Sequence, residues 1–118
     1  MNEKLDRQAA FSGTRPVPDH LQIDTARLAA WMGDHVEGFA GPLEVRQFKG
    51  GQSNPTYFIA AQSGNYVLRR KPPGELLPSA HAVDREFRVQ KALGAAGFPV
   101  ARMHALETDP AVLGTMFY

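Results

Sequence analysis

No cysteine occurs among the 118 residues. This excludes a disulfide framework, a zinc–thiolate site and a cysteine nucleophile. Nor does any segment approach the roughly 20 apolar residues of a membrane-spanning helix. The first residues, MNEKLDRQAAF, mix both signs of charge and lack the apolar run of a signal peptide. We therefore expect a cytoplasmic protein that has no membrane partner.

The sequence also lacks an excess of charge of either sign, since its net charge is +1. A broad basic surface is therefore excluded, and nucleic acid is not an expected partner. The hydrophobic content of 43% and the charged content of 21% are ordinary for a globular domain. The length predicts one domain. Any phosphate-binding site must be a local feature.

A third absence concerns catalytic bases and metal ligands. His20, His35 and His104 each stand alone in the sequence, and a lone histidine is more often structural than catalytic. No H-x-D motif followed by an asparagine, as in a kinase catalytic loop, is present. The motif HAVD (81–84) falls within a predicted helix. We predict no metal ligands in this chain.

The N-terminal part predicts a flexible segment followed by a helix. Residues 1–20 are polar and contain Pro16 and Pro18, which favour an extended path. Asp24 is a candidate N-cap for a helix that continues through TARLAAWMGDHV. Apolar spacing defines one stripe on this helix. Its members are Leu28, Trp31, Met32 and His35. For Trp31, core packing is favoured over stacking on a ligand.

The remaining chain alternates strand patterns with one long helix, which indicates an α+β fold. Strands are predicted at 43–49, 56–61, 66–71, 101–107 and 111–118. QSGN (62–65) is a hairpin turn. KPPGELLP (71–78) cannot be regular structure, because its prolines and glycine break it. A helix follows over 79–97, flanked by Ser79 and Gly97.

The turn between the first two predicted strands, 43–49 and 56–61, has the composition of a phosphate site. Gly50 and Gly51 allow close backbone approach to a bulky anion, and Ser53 and Asn54 add small polar groups. Cations follow one strand later, at 69–71.

Side chains alternate across the third strand, so Val67 and Arg69 share one face. We interpret Val67 as a contact for a base and Arg69 as a contact for phosphates. The alternative is that Arg69, Arg70 and Lys71 form a solvated strand end.

A carboxylate within the apolar stripe of the long helix strengthens the first interpretation. The stripe consists of Val83, Glu86, Val89 and Leu93. Burying Glu86 without a partner would be costly, so it should find a cation, and Arg69 is the natural candidate. The alternative is a partly exposed Glu86 that pairs with Lys91 or Arg85.

A strand cation held by a mid-helix glutamate, below a glycine turn, is the arrangement of protein kinases. The segments that carry it are GGQSNPTYFI (50–59), YVLRRKPPGELLPSAHAVDREFRVQKAL (66–93) and VLGTMFY (112–118). They resemble the aminoglycoside phosphotransferase family. The resemblance is strongest to the branch found as the kinase-like domain fused to some acyl-CoA dehydrogenases.

The resemblance implies a protein-kinase-like N-terminal lobe over residues 21–118, with the C-terminal catalytic lobe absent from this chain. Its expected fold is a five-stranded antiparallel sheet with one long packed helix, plus an N-terminal helix. Arg69, where the family usually has lysine, and Glu86 would form the catalytic pair. The residues expected to contact ATP are Gly50, Gly51, Gln52, Ser53, Asn54, Val67 and Arg69. Mg²⁺ ligands are expected in the other lobe.

The implied function is transfer of the ATP γ-phosphate to the hydroxyl of a small molecule, and the fused branch favours a hydroxyacyl-CoA. The alternative is a non-catalytic nucleotide-binding or protein-interaction module. In that case the final strand, 111–118, would be an exposed edge for a partner or for a homodimer.

Overall fold

The structure, a computed structural model, describes residues 13–49, 55–71 and 83–118. The predicted phosphate turn (Gly50, Gly51, Gln52, Ser53 and Asn54) and the predicted helix cap Ser79 lie outside the described residues. Neither described helix has the length and apolar character needed to cross a membrane.

An antiparallel sheet forms the centre of the described chain. Its strands β1 to β4 are adjacent in chain order. Their bounds are Thr14–Arg15, Leu43–Phe48, Thr56–Ala61 and Gly64–Arg69. The register places Val45 opposite Ile59 and Phe58 opposite Val67. The last three of these strands coincide with the first three predicted strands, 43–49, 56–61 and 66–71.

β1 lies within the segment 1–20, for which a flexible path was expected. Thr14 pairs with Phe48 of β2. The side chain of Arg46 reinforces this pairing, because its Nε donates to Thr14 Oγ1 at 2.9 Å. A short 3₁₀ helix, Asp19–Leu21, follows. The described end of the segment is therefore attached to the sheet.

The predicted fourth and fifth strands are present only as isolated bridges. The backbones of Arg69 and Tyr118 exchange two hydrogen bonds of 2.9 Å. Phe117 exchanges bonds of 2.8 and 3.0 Å with Glu107 on its other side. Gly114, at φ +96°, lies just before this segment and its left-handed backbone ends any extended path there. The predicted antiparallel order is thus retained, but over pairs of residues rather than over full strands.

The N-terminal helix α1 (Thr25–His35) begins as predicted, because the Asp24 carboxylate accepts a hydrogen bond from Arg27 N at 3.1 Å. Leu28, Trp31 and Met32 are buried. The fourth predicted member of the stripe, His35, is exposed and stacks on the Trp31 indole with ring centroids 4.5 Å apart.

The hydrophobic core lies between α1 and one face of the sheet. The sheet and the bridged segment contribute Tyr57, Ile59, Leu68 and Phe117. Trp31 is a core residue, and its indole nitrogen donates to Glu107 Oε1 at 2.9 Å. This core cluster includes residues of the N-terminal helix, and none of its members comes from the described part of the predicted long helix.

The long helix α2 is described over Val83–Ala95 and buries only Val83 and Phe87. The predicted stripe is wrong at Val89, whose exposure is 52%. Buried positions four residues apart define a face that is rotated by one residue from the predicted one. Glu86 lies beside this face and is half-buried.

Arg70 is buried, at 4% exposure, so a solvated strand end is the wrong interpretation for it. Its Nε donates to the Tyr57 hydroxyl at 2.8 Å. Its two terminal nitrogens donate to the carbonyl oxygens of Leu113 and Leu21, at 3.3 and 3.2 Å. The Tyr57 hydroxyl in turn donates to Leu21 O at 2.9 Å. One cation therefore joins the sheet to segments on both sides of it in the chain.

Asp24→Ala in the full-length protein should lower the free energy of unfolding by about 1 kcal/mol, because it removes the N-cap acceptor of α1. Denaturant unfolding measures the change. Asp34→Ala, at an exposed position of the same helix, is the control and should stay within about 0.5 kcal/mol of wild type. Equal losses in both variants would contradict the capping role.

Tyr57→Phe should cost about 1–3 kcal/mol, because it leaves the buried Arg70 guanidinium with one partner fewer. Tyr66→Phe is the matched control, since the Tyr66 hydroxyl contacts the exposed Ser63 hydroxyl at 2.8 Å. The same denaturant titration compares the two. A Tyr57→Phe protein as stable as the Tyr66→Phe protein would show that Arg70 does not need this hydroxyl.

Candidate active site

The end of β4 and the first half of α2 meet in an ion pair between Arg69 and Glu86. Arg69 Nε lies 2.8 Å from Glu86 Oε1, and Arg69 Nη2 lies 3.1 Å from Glu86 Oε2. The two side chains keep 26% and 34% of their surface exposed. Paired bonds of this kind match the guanidinium fork to the carboxylate plane. The predicted contact between strand cation and helix carboxylate is therefore present.

Thr56 holds the same guanidinium from the neighbouring strand. It lies opposite Arg69 in the β3–β4 register, and Arg69 Nη1 donates to Thr56 Oγ1 at 3.0 Å. A guanidinium has five N–H groups, and these contacts use three of them. Sequence reasoning missed Thr56, because only the strand register reveals which residue faces Arg69.

Tyr118 completes the cluster from the other neighbour of β4. Its hydroxyl donates to Glu86 Oε1 at 2.6 Å and accepts from Gln90 Nε2 at 3.1 Å. Its ring packs against Phe87 with centroids 5.7 Å apart. No sequence signal pointed to Tyr118 or Gln90, since their proximity depends on how α2 lies against the sheet.

Electrostatics keeps these groups in defined protonation states. Burial raises the pKa of Tyr118 to about 12, and the hydrogen bond to Glu86 and its negative charge act in the same direction. The phenol therefore remains a donor at neutral pH. Burial lowers the pKa of Arg69, but the hydrogen bond and the charge of Glu86 outweigh this and raise it above its ordinary value. Arg69 is a permanent cation.

The face of the sheet that carries Arg69 is apolar and open at its centre. Val67 is 59% exposed and lies opposite Phe58 in the register. Phe48 contacts Phe58 edge-on with ring centroids 6.1 Å apart. The sequence predicted Val67 here. The two phenylalanines were missed, because both lie in strands whose faces the pattern alone did not assign.

A cavity of about 390 Å³ borders Val67, Arg69 and Tyr118, and it reaches the segment 101–105. The predicted phosphate turn, residues 50–54, lies outside the described residues. In the sequence it falls between the end of β2 at Phe48 and the start of β3 at Thr56, and Thr56 pairs with Arg69. Within the described ranges, no group of three or more histidines or carboxylates could hold a metal ion.

Curated relatives align with most of this chain. Acyl-CoA dehydrogenase family member 11 of Mus musculus is 48% identical over 106 residues, which cover 86% of this chain and 14% of that protein. Acyl-CoA dehydrogenase family member 10 of the same species is 47% identical over 109 residues, covering 89% of this chain and 10% of that protein. The chain therefore spans only a small part of these relatives.

A solved structure and a family model agree with them. The crystal structure of a protein assigned as an aminoglycoside phosphotransferase, from Ralstonia eutropha JMP134, superposes with a TM-score of 0.71 at 49% identity. It covers 82% of this chain, which corresponds to 27% of that protein, and it confirms the predicted fold class. The model of the phosphotransferase enzyme family matches residues 44–118. That range holds both partners of the Arg69–Glu86 pair, and this chain therefore belongs to the phosphotransferase enzyme family, as its motifs predicted.

Proposed function

We propose that this chain is the nucleotide-binding part of a kinase that transfers the γ-phosphate of ATP to the hydroxyl group of a small molecule. The observation that carries the proposal is the guanidinium of Arg69, which Glu86 and Thr56 hold at the edge of an open apolar face. Phosphoryl transfer needs mainly positioning and charge neutralisation. A fixed cation beside a surface for a base provides both.

The phosphate end of the proposed site consists of Arg69 and the glycine turn. The planar guanidinium of Arg69 suits the oxygens of a phosphate chain. We assign the turn residues to the same chain. They are Gly50, Gly51, Gln52, Ser53 and Asn54. Their backbone N–H groups and small side chains would cover the phosphates from above.

The base end consists of apolar side chains two residues away on the same face. Val67 is exposed, and Phe58 lies beside it on β3. A flat heterocycle gains from contact with aliphatic and aromatic surface. This assigns to Val67 and Phe58 the contact with adenine.

Mg²⁺ would neutralise charge on the phosphates when bound. Glu86 does not fit as its ligand, because Arg69 and Tyr118 already occupy the carboxylate oxygens. We therefore assign the metal ligands to residues beyond those described. Relatives many times longer than this chain leave ample room for a catalytic lobe.

For the acceptor we favour a hydroxyacyl-CoA, on the names of the curated relatives, over the aminoglycoside that appears in the name of the solved structure. Both curated relatives are named as acyl-CoA dehydrogenase family members. A kinase joined to such an enzyme would act on a related thioester that carries a hydroxyl group.

The alternative of an interaction module relied on an exposed final strand. Phe117 is instead fully buried and is bridged to Arg70 on one side and to Glu107 on the other. This part of the chain is not an open sheet edge, so nothing in its geometry favours the alternative.

Glu86→Ala in the full-length protein should raise the dissociation constant of MgATP about tenfold, because Arg69 loses the carboxylate that orients it. Calorimetric titration with MgATP measures the change. Asp84→Ala is the control, because Asp84 pairs with the exposed Arg88 on the same helix. Unchanged affinity and unchanged ATP turnover in the Glu86 variant would refute the assigned pair.

Arg69→Lys should weaken MgATP binding as well as lower stability, because an ammonium cannot span both Glu86 oxygens and Thr56. Titration with MgATP and thermal unfolding of the same sample separate the two effects. Arg88→Lys controls for the exchange of side chain on an exposed surface. A loss of stability with unchanged affinity would make Arg69 a structural residue only.

The full-length protein should transfer label from γ-labelled ATP to a 3-hydroxyacyl-CoA more efficiently than to an aminoglycoside. The kcat/KM values for the two acceptor classes decide the question. The Glu86→Ala protein is the control for genuine transfer. Preference for the aminoglycoside would overturn the acceptor assignment and leave the kinase assignment intact.

A further inference from the structure

We propose that Tyr118 is a positioning residue that sets the place of Glu86, and through it the aim of the Arg69 guanidinium. The inference rests on the proposed function, since it assumes that Arg69 contacts phosphate. It adds a residue that belongs neither to the strand–helix ion pair nor to the glycine turn.

The backbone fixes where the Tyr118 side chain begins. Tyr118 and Arg69 exchange two hydrogen bonds of 2.9 Å, so they form a directly opposed antiparallel pair. Side chains of such a pair project from the same face of the sheet. Tyr118 therefore stands next to Arg69 on the side where α2 lies, and Thr56 stands next to Arg69 on its other flank.

The side chain of Tyr118 then contacts one face of α2. Its hydroxyl binds Glu86 and Gln90, and its ring packs on Phe87. Gln90 lies one turn beyond Glu86, so the phenol oxygen bridges two consecutive turns of the helix. Within the described helix only Val83 and Phe87 are buried, so apolar packing alone stabilises the attachment of α2 to the sheet only weakly. Tyr118 supplies much of the polar attachment.

Sharing of one oxygen links the tyrosine to the cation. Glu86 Oε1 accepts from both the Tyr118 hydroxyl, at 2.6 Å, and Arg69 Nε, at 2.8 Å. When one carboxylate oxygen accepts from two donors, few rotamers of the glutamate side chain satisfy both hydrogen bonds. With Tyr118 in place, Glu86 faces Arg69 with both oxygens and so fixes the orientation of the guanidinium.

The test is a double-mutant cycle on the full-length protein, read as the calorimetric dissociation constant of MgATP. Tyr118→Phe removes only the hydroxyl and should raise that constant about fivefold to tenfold. In a Glu86→Ala background the same change should have an effect below about twofold, because the acceptor is gone. The rate of ATP turnover provides a second reading of each variant.

Two further variants separate positioning from folding. Tyr66→Phe, on the core-facing side of β4, should leave MgATP affinity unchanged. Gln90→Ala keeps the ring and the hydroxyl of Tyr118, and should weaken MgATP binding in the same direction by a smaller factor. It replaces Tyr118→Phe in the test if the latter protein does not fold.

The outcomes distinguish this inference from the function on which it rests. If Glu86→Ala weakens MgATP binding but Tyr118→Phe does not, Tyr118 has no positioning role and the kinase assignment stands. An equal effect of Tyr118→Phe with and without Glu86 would also overturn the inference, because the tyrosine would act independently of the carboxylate. If neither Glu86→Ala nor Arg69→Lys changes MgATP affinity, the proposed function fails and the inference fails with it.

Discussion

The site depends on one shared carboxylate. Glu86 receives Arg69 through two parallel bonds and Tyr118 through one, and so it joins a helix to two neighbouring extended segments. Removing it would leave a permanent cation half-buried without its counter-charge, which costs more than the pair itself stabilises. The pair is exposed enough for water to weaken its Coulomb energy. The main contribution of the pair is therefore to fix the orientation of the Arg69 guanidinium.

Two adjacent arginines on one strand serve different purposes because side chains alternate across a strand. Arg69 projects to the open face and meets Glu86, while Arg70 projects into the core and binds Tyr57, Leu21 and Leu113. Arg70 holds the sheet to the N-terminal segment and to the loop before Phe117. The buried guanidinium of Arg70 thus joins β4 to the segment that contains Phe117 and to the N-terminal segment. These contacts lie beneath Arg69.

The sheet separates two environments. On one face, α1 covers Tyr57, Ile59 and Leu68 and makes the hydrophobic core. On the other face, Val67 stays exposed and the described part of α2 contacts the Arg69 end of the sheet. The proposed kinase function requires such an open face, because a nucleotide would have to reach the cation. The described part of the long helix buries Val83 and Phe87, and the polar contacts of Glu86 and Gln90 add to this apolar packing.

Local sequence pattern was enough to locate the three central strands and the Asp24 cap, because hydrophobic periodicity and capping depend on a few neighbouring residues. It also indicated the alternation across β4 and the pairing of Arg69 with Glu86. It failed at Val89, at Arg70 and at the two bridged segments, where the outcome depends on which surfaces meet. Thr56, Gln90 and Tyr118 reach Arg69 and Glu86 from distant parts of the chain, through strand register and helix placement. The sequence by itself therefore determined the family and the central ion pair. Only the tertiary structure decided which side chains orient that pair, because hydrogen bonds between remote residues leave no periodic trace in the sequence.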